Sequence, residues 1–123
     1  GRHGRIAIQV AYLLKEHLKG KALGVVFAAE TGFQIQSDPD TVLAPDVAFV
    51  SRSKFEAAGS ETHYLPVAPE LVVEVLSPSD RFSRVESRAF RWLDAGTVLV
   101  LVVEDGLKIL RSRKLTTKFS GNN

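Results

Sequence analysis

The chain contains no cysteine. Disulfides and thiolate zinc sites are therefore excluded, and a reducing cytoplasm is the natural compartment to expect. No apolar run approaches the roughly 20 residues that a membrane-spanning helix needs. The opening Gly1-Arg2-His3-Gly4-Arg5 leads into a helical pattern, not into a short apolar segment with a cleavage site, so no signal peptide is expected. Methionine is missing as well, even at position 1, and a natural N-terminus upstream is expected. No glycine-rich phosphate loop is present. His3 and His63 have no partner at zinc spacing, and His17 falls in an apolar helical stripe where a packed histidine is expected before a ligand. Net charge is +2, too small to argue for nucleic acid by itself.

What is present suits one folded domain over residues 1–123, with 45% hydrophobic residues to fill a core. Residues 5–19 read as a helix with Ile6, Val10, Leu13, Leu14 and His17 on one face and Gly20 at its stop. Val25–Ala29 and Phe33–Gln36 read as strands around a turn at Glu30-Thr31-Gly32. Ser37-Asp38-Pro39-Asp40 is a turn signal, and Val42–Val50 reads as the next strand with Pro45 at an edge or bulge. Residues 51–69 are irregular, with one helical turn at Lys54–Ala58. A helix follows from Arg84 to Ala95, with Ser83 and Glu86 as a capping box, Gly96 as the stop, and Val85, Ala89, Trp92 and Leu93 facing the core. Val98–Val103 and Leu107–Leu110 read as strands joined by a hairpin at Glu104-Asp105-Gly106. The order is αβββ-loop-βαββ, an α/β (α+β) mixed sheet flanked by helices, with a parallel crossover. Val98–Val103 is expected to sit either centrally in the sheet or at a dimer seam; left uncovered it would be a sticky edge that pairs two copies into a homodimer.

The segment Glu70-Leu71-Val72-Val73-Glu74-Val75-Leu76 carries the sharpest functional signal. Val72, Glu74 and Leu76 alternate with Leu71, Val73 and Val75, and both sets are apolar apart from the glutamate. The segment reads as a central strand covered on both faces. An ionised carboxylate there is costly unless it is paired, hydrogen-bonded or bound to a metal. Glu74 is therefore the first functional candidate, and a buried salt bridge to an arginine is its structural alternative. Asp46 opens another strand after Pro45, either as a ligand or as a loop cap. Two basic groups stand out: Arg81, Arg84, Arg88 and Arg91 after the Glu74 strand, and Lys108, Arg111, Arg113, Lys114 and Lys118 near the end. Each would face phosphates or form a solvated surface.

Pro45-Asp46-Val47-Ala48-Phe49-Val50, then Ala68-Pro69-Glu70-Leu71-Val72-Val73-Glu74-Val75-Leu76-Ser77-Pro78-Ser79-Asp80, then Trp92-Leu93-Asp94-Ala95-Gly96, resemble the Uma-two family of restriction-endonuclease-like proteins within the PD-(D/E)xK nuclease superfamily. His3-Gly4-Arg5-Ile6 and Glu30-Thr31-Gly32-Phe33 match its usual run. The resemblance covers the chain up to about Leu110. It implies a restriction-endonuclease-like sheet, DNA as substrate, and Mg²⁺ or Mn²⁺ as cofactor. It also implies Asp46 and Glu74 as metal ligands, with the Val75 carbonyl as a third and Glu30 or Glu70 completing the acidic cluster. Such domains usually carry more chain at both ends, so a truncated copy is expected. In the wider fold a lysine follows the second acid at a spacing of two, which here is Leu76. This family supplies it from the next helix, and the matching position is Arg88.

Arg88 has two readings. At the lysine position it would counter charge on a phosphate, but a guanidinium does not act as a general base. As an ion-pair partner of Glu74 it would neutralise the acidic pocket. Two functions follow: a metal-dependent endonuclease-like domain with Asp46, Glu74 and Arg88 as catalytic residues, or a decayed copy that binds nucleic acid or protein. An unrelated α/β domain with a structural ion pair is the third reading. Trp92 at helical spacing reads as core, and Ser77 and Ser79 as partners of the strand-to-helix turn.

Overall fold

Short valine-rich segments form the middle of a five-stranded sheet, and helices with one apolar face each close it on both sides. The computed structural model describes residues 2–28, 31–37, 39–59, 64–77, 79–104 and 107–111. In chain order the elements are helix α1 (Arg2–Leu18), strands β1 (Gly24–Ala28), β2 (Phe33–Gln36), β3 (Thr41–Leu43) and β4 (Val47–Ser51), helix α2 (Arg52–Ala58), strand β5 (Leu71–Val75), helix α3 (Phe82–Ala95), and strands β6 (Leu99–Val103) and β7 (Leu107–Arg111). The sheet runs β1-β4-β5-β6-β7, and β2 with β3 forms a separate two-stranded piece. β5 and β6 are parallel and joined through α3; the other neighbours are antiparallel. This is the mixed helix-flanked sheet expected from the pattern, crossover included.

β5 is the central strand. Val72 and Val73 point to opposite faces and both are fully buried, as an apolar run without alternation requires. On one face Ala7, Ile6, Val10, Ala11 and Leu14 of α1 pack on Val47, Val73 and Val75. On the other, Ala89, Trp92, Val85 and Leu93 of α3 pack with Phe33 of β2 on Val50, Val72 and Val100.

Several local expectations need correction. The buried stripe of α1 is rotated from the expected one: Ala7 and Ala11 lie inside it, whereas Leu13 is 65% exposed and His17 is exposed. The small alanines let the helix backbone approach the sheet, and that sets the rotation. Val42–Val50 is two strands. The chain leaves the β2–β3 piece at Ala44 and joins the main sheet at Val47, because Pro45 has no N–H to give a ladder. Lys54–Ala58 belongs to a seven-residue helix, α2. The capping box is absent: α3 begins earlier, with Arg81 as its N-cap and no side-chain cap hydrogen bond, so Ser83 lies inside the helix. Asp80 sets this start by accepting hydrogen bonds from the N–H and hydroxyl of Ser77. Gly96 does stop α3. It adopts a left-handed φ of 119°, and the next N–H, of Thr97, reaches the Trp92 carbonyl.

Of the two placements expected for Val98–Val103, the structure shows the one inside the sheet, as β6 lies between β5 and β7. β7 pairs along β6 from Leu99↔Arg111 to Val103↔Leu107, which removes the basis for a dimer seam there. Asp105 and Gly106 of the hairpin turn lie outside the described residues. Among the described residues, no helix is long and apolar enough to cross a membrane.

Candidate active site

Asp46 and Glu74 meet because of strand register. β4 and β5 pair as Phe49↔Leu71, Ala48↔Val72 and Val47↔Val73. One step further, the same register sets Asp46 opposite Glu74, and directly opposed residues share a face of the sheet. The regular ladder stops there. The Val75 N–H, which points toward β4, is taken by Asp46 Oδ2 at 2.7 Å. On the other side of the strand, the Leu76 N–H reaches the Val103 carbonyl on β6. Val75 itself would face Pro45, which has no N–H, so its carbonyl looks toward a position that cannot donate from the main chain.

Glu74 is buried, its side chain only 9% exposed. Two donors from α3 converge on its Oε2. Arg88 Nε lies at 2.8 Å and Trp92 Nε1 at 3.1 Å, and neither takes Oε1. Their four-residue spacing puts both on the face of α3 toward the sheet. The Arg88 contact uses one N–H; its Nη2 donates to the Ala44 carbonyl at 2.6 Å, which ties α3 to the chain between β3 and β4. Burial pushes the Glu74 carboxyl above its ordinary value. The Arg88 charge and the Trp92 hydrogen bond pull it back, Asp46 adds an upward push, and the net direction is up.

Asp46, Glu74, Val75, Arg84 and Arg88 line one open cavity of about 210 Å³, with Ala44, Val85, His3 and Asp80 around them. Asp46 does not face away into bulk solvent. Its Oδ2 also lies 3.3 Å from His3 Nε2, and its side chain is 20% exposed. Glu70, at the other end of β5, accepts the Ser51 N–H at 2.8 Å and lies 3.8 Å from Lys54 Nζ. Burial raises its carboxyl, but the hydrogen bonds from Ser51 and the Lys54 charge outweigh that and lower it. Glu70 is thus a structural partner of α2, away from the cavity. Glu30 lies outside the described residues.

Comparison with known proteins now bears on this geometry. A family model described as "Uma2: Putative restriction endonuclease" matches residues 1–116. The chain belongs to the Uma2 family. A solved structure, described as a putative nuclease belonging to DUF820 from Anabaena variabilis, superposes with a TM-score of 0.78 at 20% identity. The match covers 92% of this chain and 64% of that one, so the chain spans under two thirds of its structural neighbour. At that identity the likeness establishes the fold, a nuclease-like mixed sheet. No curated protein matches the chain.

In this Uma2 chain, the strand acids and Arg88 of α3 line the same cavity. In sequence His3 has no partner at zinc spacing. α1 carries it to the cavity, beside Asp46. Asp80, which closes the motif from Ala68 onward, lines the cavity with its carboxyl lowered by the Ser77 N–H and hydroxyl. The signal for both lay in runs that were read for other purposes, His3-Gly4-Arg5-Ile6 and Ser77-Pro78-Ser79-Asp80. Their convergence depends on how α1 and α3 pack at one end of the sheet.

Proposed function

We propose that this domain is a metal-dependent endonuclease that hydrolyses DNA phosphodiester bonds in the cytoplasm. Asp46, Glu74 and the Val75 carbonyl would hold a divalent ion, Mg²⁺ or Mn²⁺. The single observation that carries this reading is the opening of Asp46 and Glu74, from adjacent strands, on one cavity with Arg88 in its wall. The donors are hard oxygens, which suit Mg²⁺. Among the described residues, no group of three or more His, Asp or Glu side chains is placed to hold a metal ion. Two carboxylates and a carbonyl nevertheless fit an ion that keeps several of its waters. Glu30 is proposed as the auxiliary acid.

When bound, such an ion supplies charge stabilisation and activation of water for phosphoryl transfer. The chain's own residues do the rest. The Val75 N–H and His3 hold Asp46 in place. Trp92 Nε1 donates to Glu74 Oε2 and helps to orient the carboxylate. The Arg88 guanidinium counters the negative phosphate and does not act as a general base.

One observation favours a second reading, a nucleic-acid-binding or protein-interaction module that has lost catalysis. The Arg88 Nε–H already occupies Glu74 Oε2, and that contact partly neutralises the site without any ion. Plasmid nicking with Mg²⁺ or Mn²⁺ separates the two. Loss of a residue behind a metal ligand typically lowers activity roughly 10- to 100-fold, so Glu74→Gln should lower nicking by about 100-fold or more. Equal nicking by parent and variant removes the enzyme reading, and faster nicking by Arg88→Lys would mark a decayed lysine position.

A further inference from the structure

Helix α3 carries three arginines at a spacing of four and three: Arg84, Arg88 and Arg91. That spacing aligns them along one face. Arg88 is tied down by Glu74 and Ala44. Its two neighbours are not. Both are exposed, and among the described residues neither side chain makes a hydrogen bond or an ion pair. Arg84 lines the cavity that holds Asp46 and Glu74. Arg91 lines a second open cavity, of about 240 Å³, whose other wall is Ile35 and Gln36 of β2. Each cavity has one wall from α3 and another that includes the chain between β2 and β4, Ala44 in the first and Ile35 and Gln36 in the second.

The helix does not need these charges. Arg84 lies in the first turn of α3, where no acid is present and the positive end of the helix disfavours a cation. Asp80 interacts with Arg84 electrostatically without pairing to it, and Asp94 in the second cavity offsets part of the Arg91 charge. Seven residues of helix separate Arg84 from Arg91, about 10 Å of rise. Duplex DNA rises 3.4 Å per nucleotide along one strand, so this separation spans roughly three nucleotides.

We infer that the seam between α3 and the β2–β3 piece is a track for a nucleic-acid backbone, with Arg84 meeting a phosphate at the Asp46–Glu74 cavity and Arg91 meeting another further along α3. The inference rests on the reading of that cavity as one that handles DNA. It adds a surface and a direction: the strand runs along α3, in line with the helix axis.

The test is fluorescence anisotropy of the whole chain with a labelled DNA duplex and the matching single strand, with Ca²⁺ in place of Mg²⁺, over a salt titration. Arg84→Gln and Arg91→Gln should each reduce the slope of log affinity against log salt by about 1. Arg52→Gln is the control. Arg52 lies past the far end of β4 and pairs with Glu56, and its loss should leave the slope unchanged. A reduced slope with either probe supports the track and identifies the strand form it accepts. Unchanged slopes in both α3 variants, an equal change in Arg52→Gln, or no binding of either probe would overturn it. If nicking is the same in parent and Glu74→Gln while the arginine slopes fall as expected, hydrolysis fails and the track stands. If nicking depends on Glu74 but the slopes do not move, the track fails and hydrolysis stands.

Discussion

Arg88 Nε meets Glu74 Oε2 at 2.8 Å, and the two side chains differ sharply in exposure: the carboxylate is 9% exposed and the guanidinium 37%. The pair therefore has one desolvated partner and one that stays in contact with water. Removing the wet partner leaves the dry one uncompensated, which is the expensive direction. Removing both leaves a neutral, hydrogen-bonding environment.

Arg88→Ala should accordingly lower stability at pH 7 by about 3 kcal/mol, the low end for a broken buried pair because the guanidinium is partly hydrated. Arg88→Ala combined with Glu74→Gln should recover most of that loss. Urea unfolding of the two single variants and the double variant measures the coupling. A double variant no more stable than Arg88→Ala would show that Arg88 acts through its Ala44 contact instead.

The pH dependence follows from the direction of the Glu74 shift. Burial raises its carboxyl above the ordinary value of 4.5, so the folded state holds this proton more tightly than the unfolded state. Its contribution to stability is full below 4.5 and is lost as pH rises through the folded value. Glu70 and Asp80, both lowered, act oppositely: their contributions are present above their ordinary values of 4.5 and 3.8 and fall away in acid. Melting temperatures measured from acid to neutral pH should thus decline for the parent as pH rises from 4.5 through the folded Glu74 value. Glu74→Gln should flatten that decline and leave the acid side unchanged. Equal slopes in parent and variant would mean that Glu74 is not the group responsible.

The chain has a single tryptophan, and it is the one that donates to Glu74. Trp92 emission is therefore a built-in report on the carboxylate. Millimolar Mg²⁺ or Mn²⁺ should shift or quench it in the parent, and both Glu74→Gln and Asp46→Asn should suppress the response. Asp46→Asn keeps an oxygen for the Val75 N–H, so its fold should survive. A parent spectrum unmoved by either ion would argue against metal binding by the acid pair, whatever the nicking assay returned.

The most readable features were those written into a few neighbouring residues. Glu74 stood out because strand alternation needs only its immediate neighbours to show that both faces are apolar. Gly96 was readable as a stop because its left-handed backbone is a local matter. The start of α3 was not, since Ser83 and Glu86 satisfy the capping pattern while Asp80, one turn earlier, claims Ser77 and opens the helix sooner. The rotation of α1 was also hidden: Leu13 outweighs Ala7 in hydrophobicity, but close packing favours the smaller residue.

The amino-acid order was enough to name the strand with the costly acid, the crossover between β5 and β6, and the family motifs. These depend on periodicity and turn chemistry over short stretches. Which groups would surround Glu74 was a matter of assembly. Antiparallel register brings Asp46 across from it, the crossover swings Arg88 and Trp92 over it, and the packing of α1 delivers His3 to the rim. Those meetings join residues far apart in the chain, and they are set by the sum of packing across the whole sheet, which no short segment encodes.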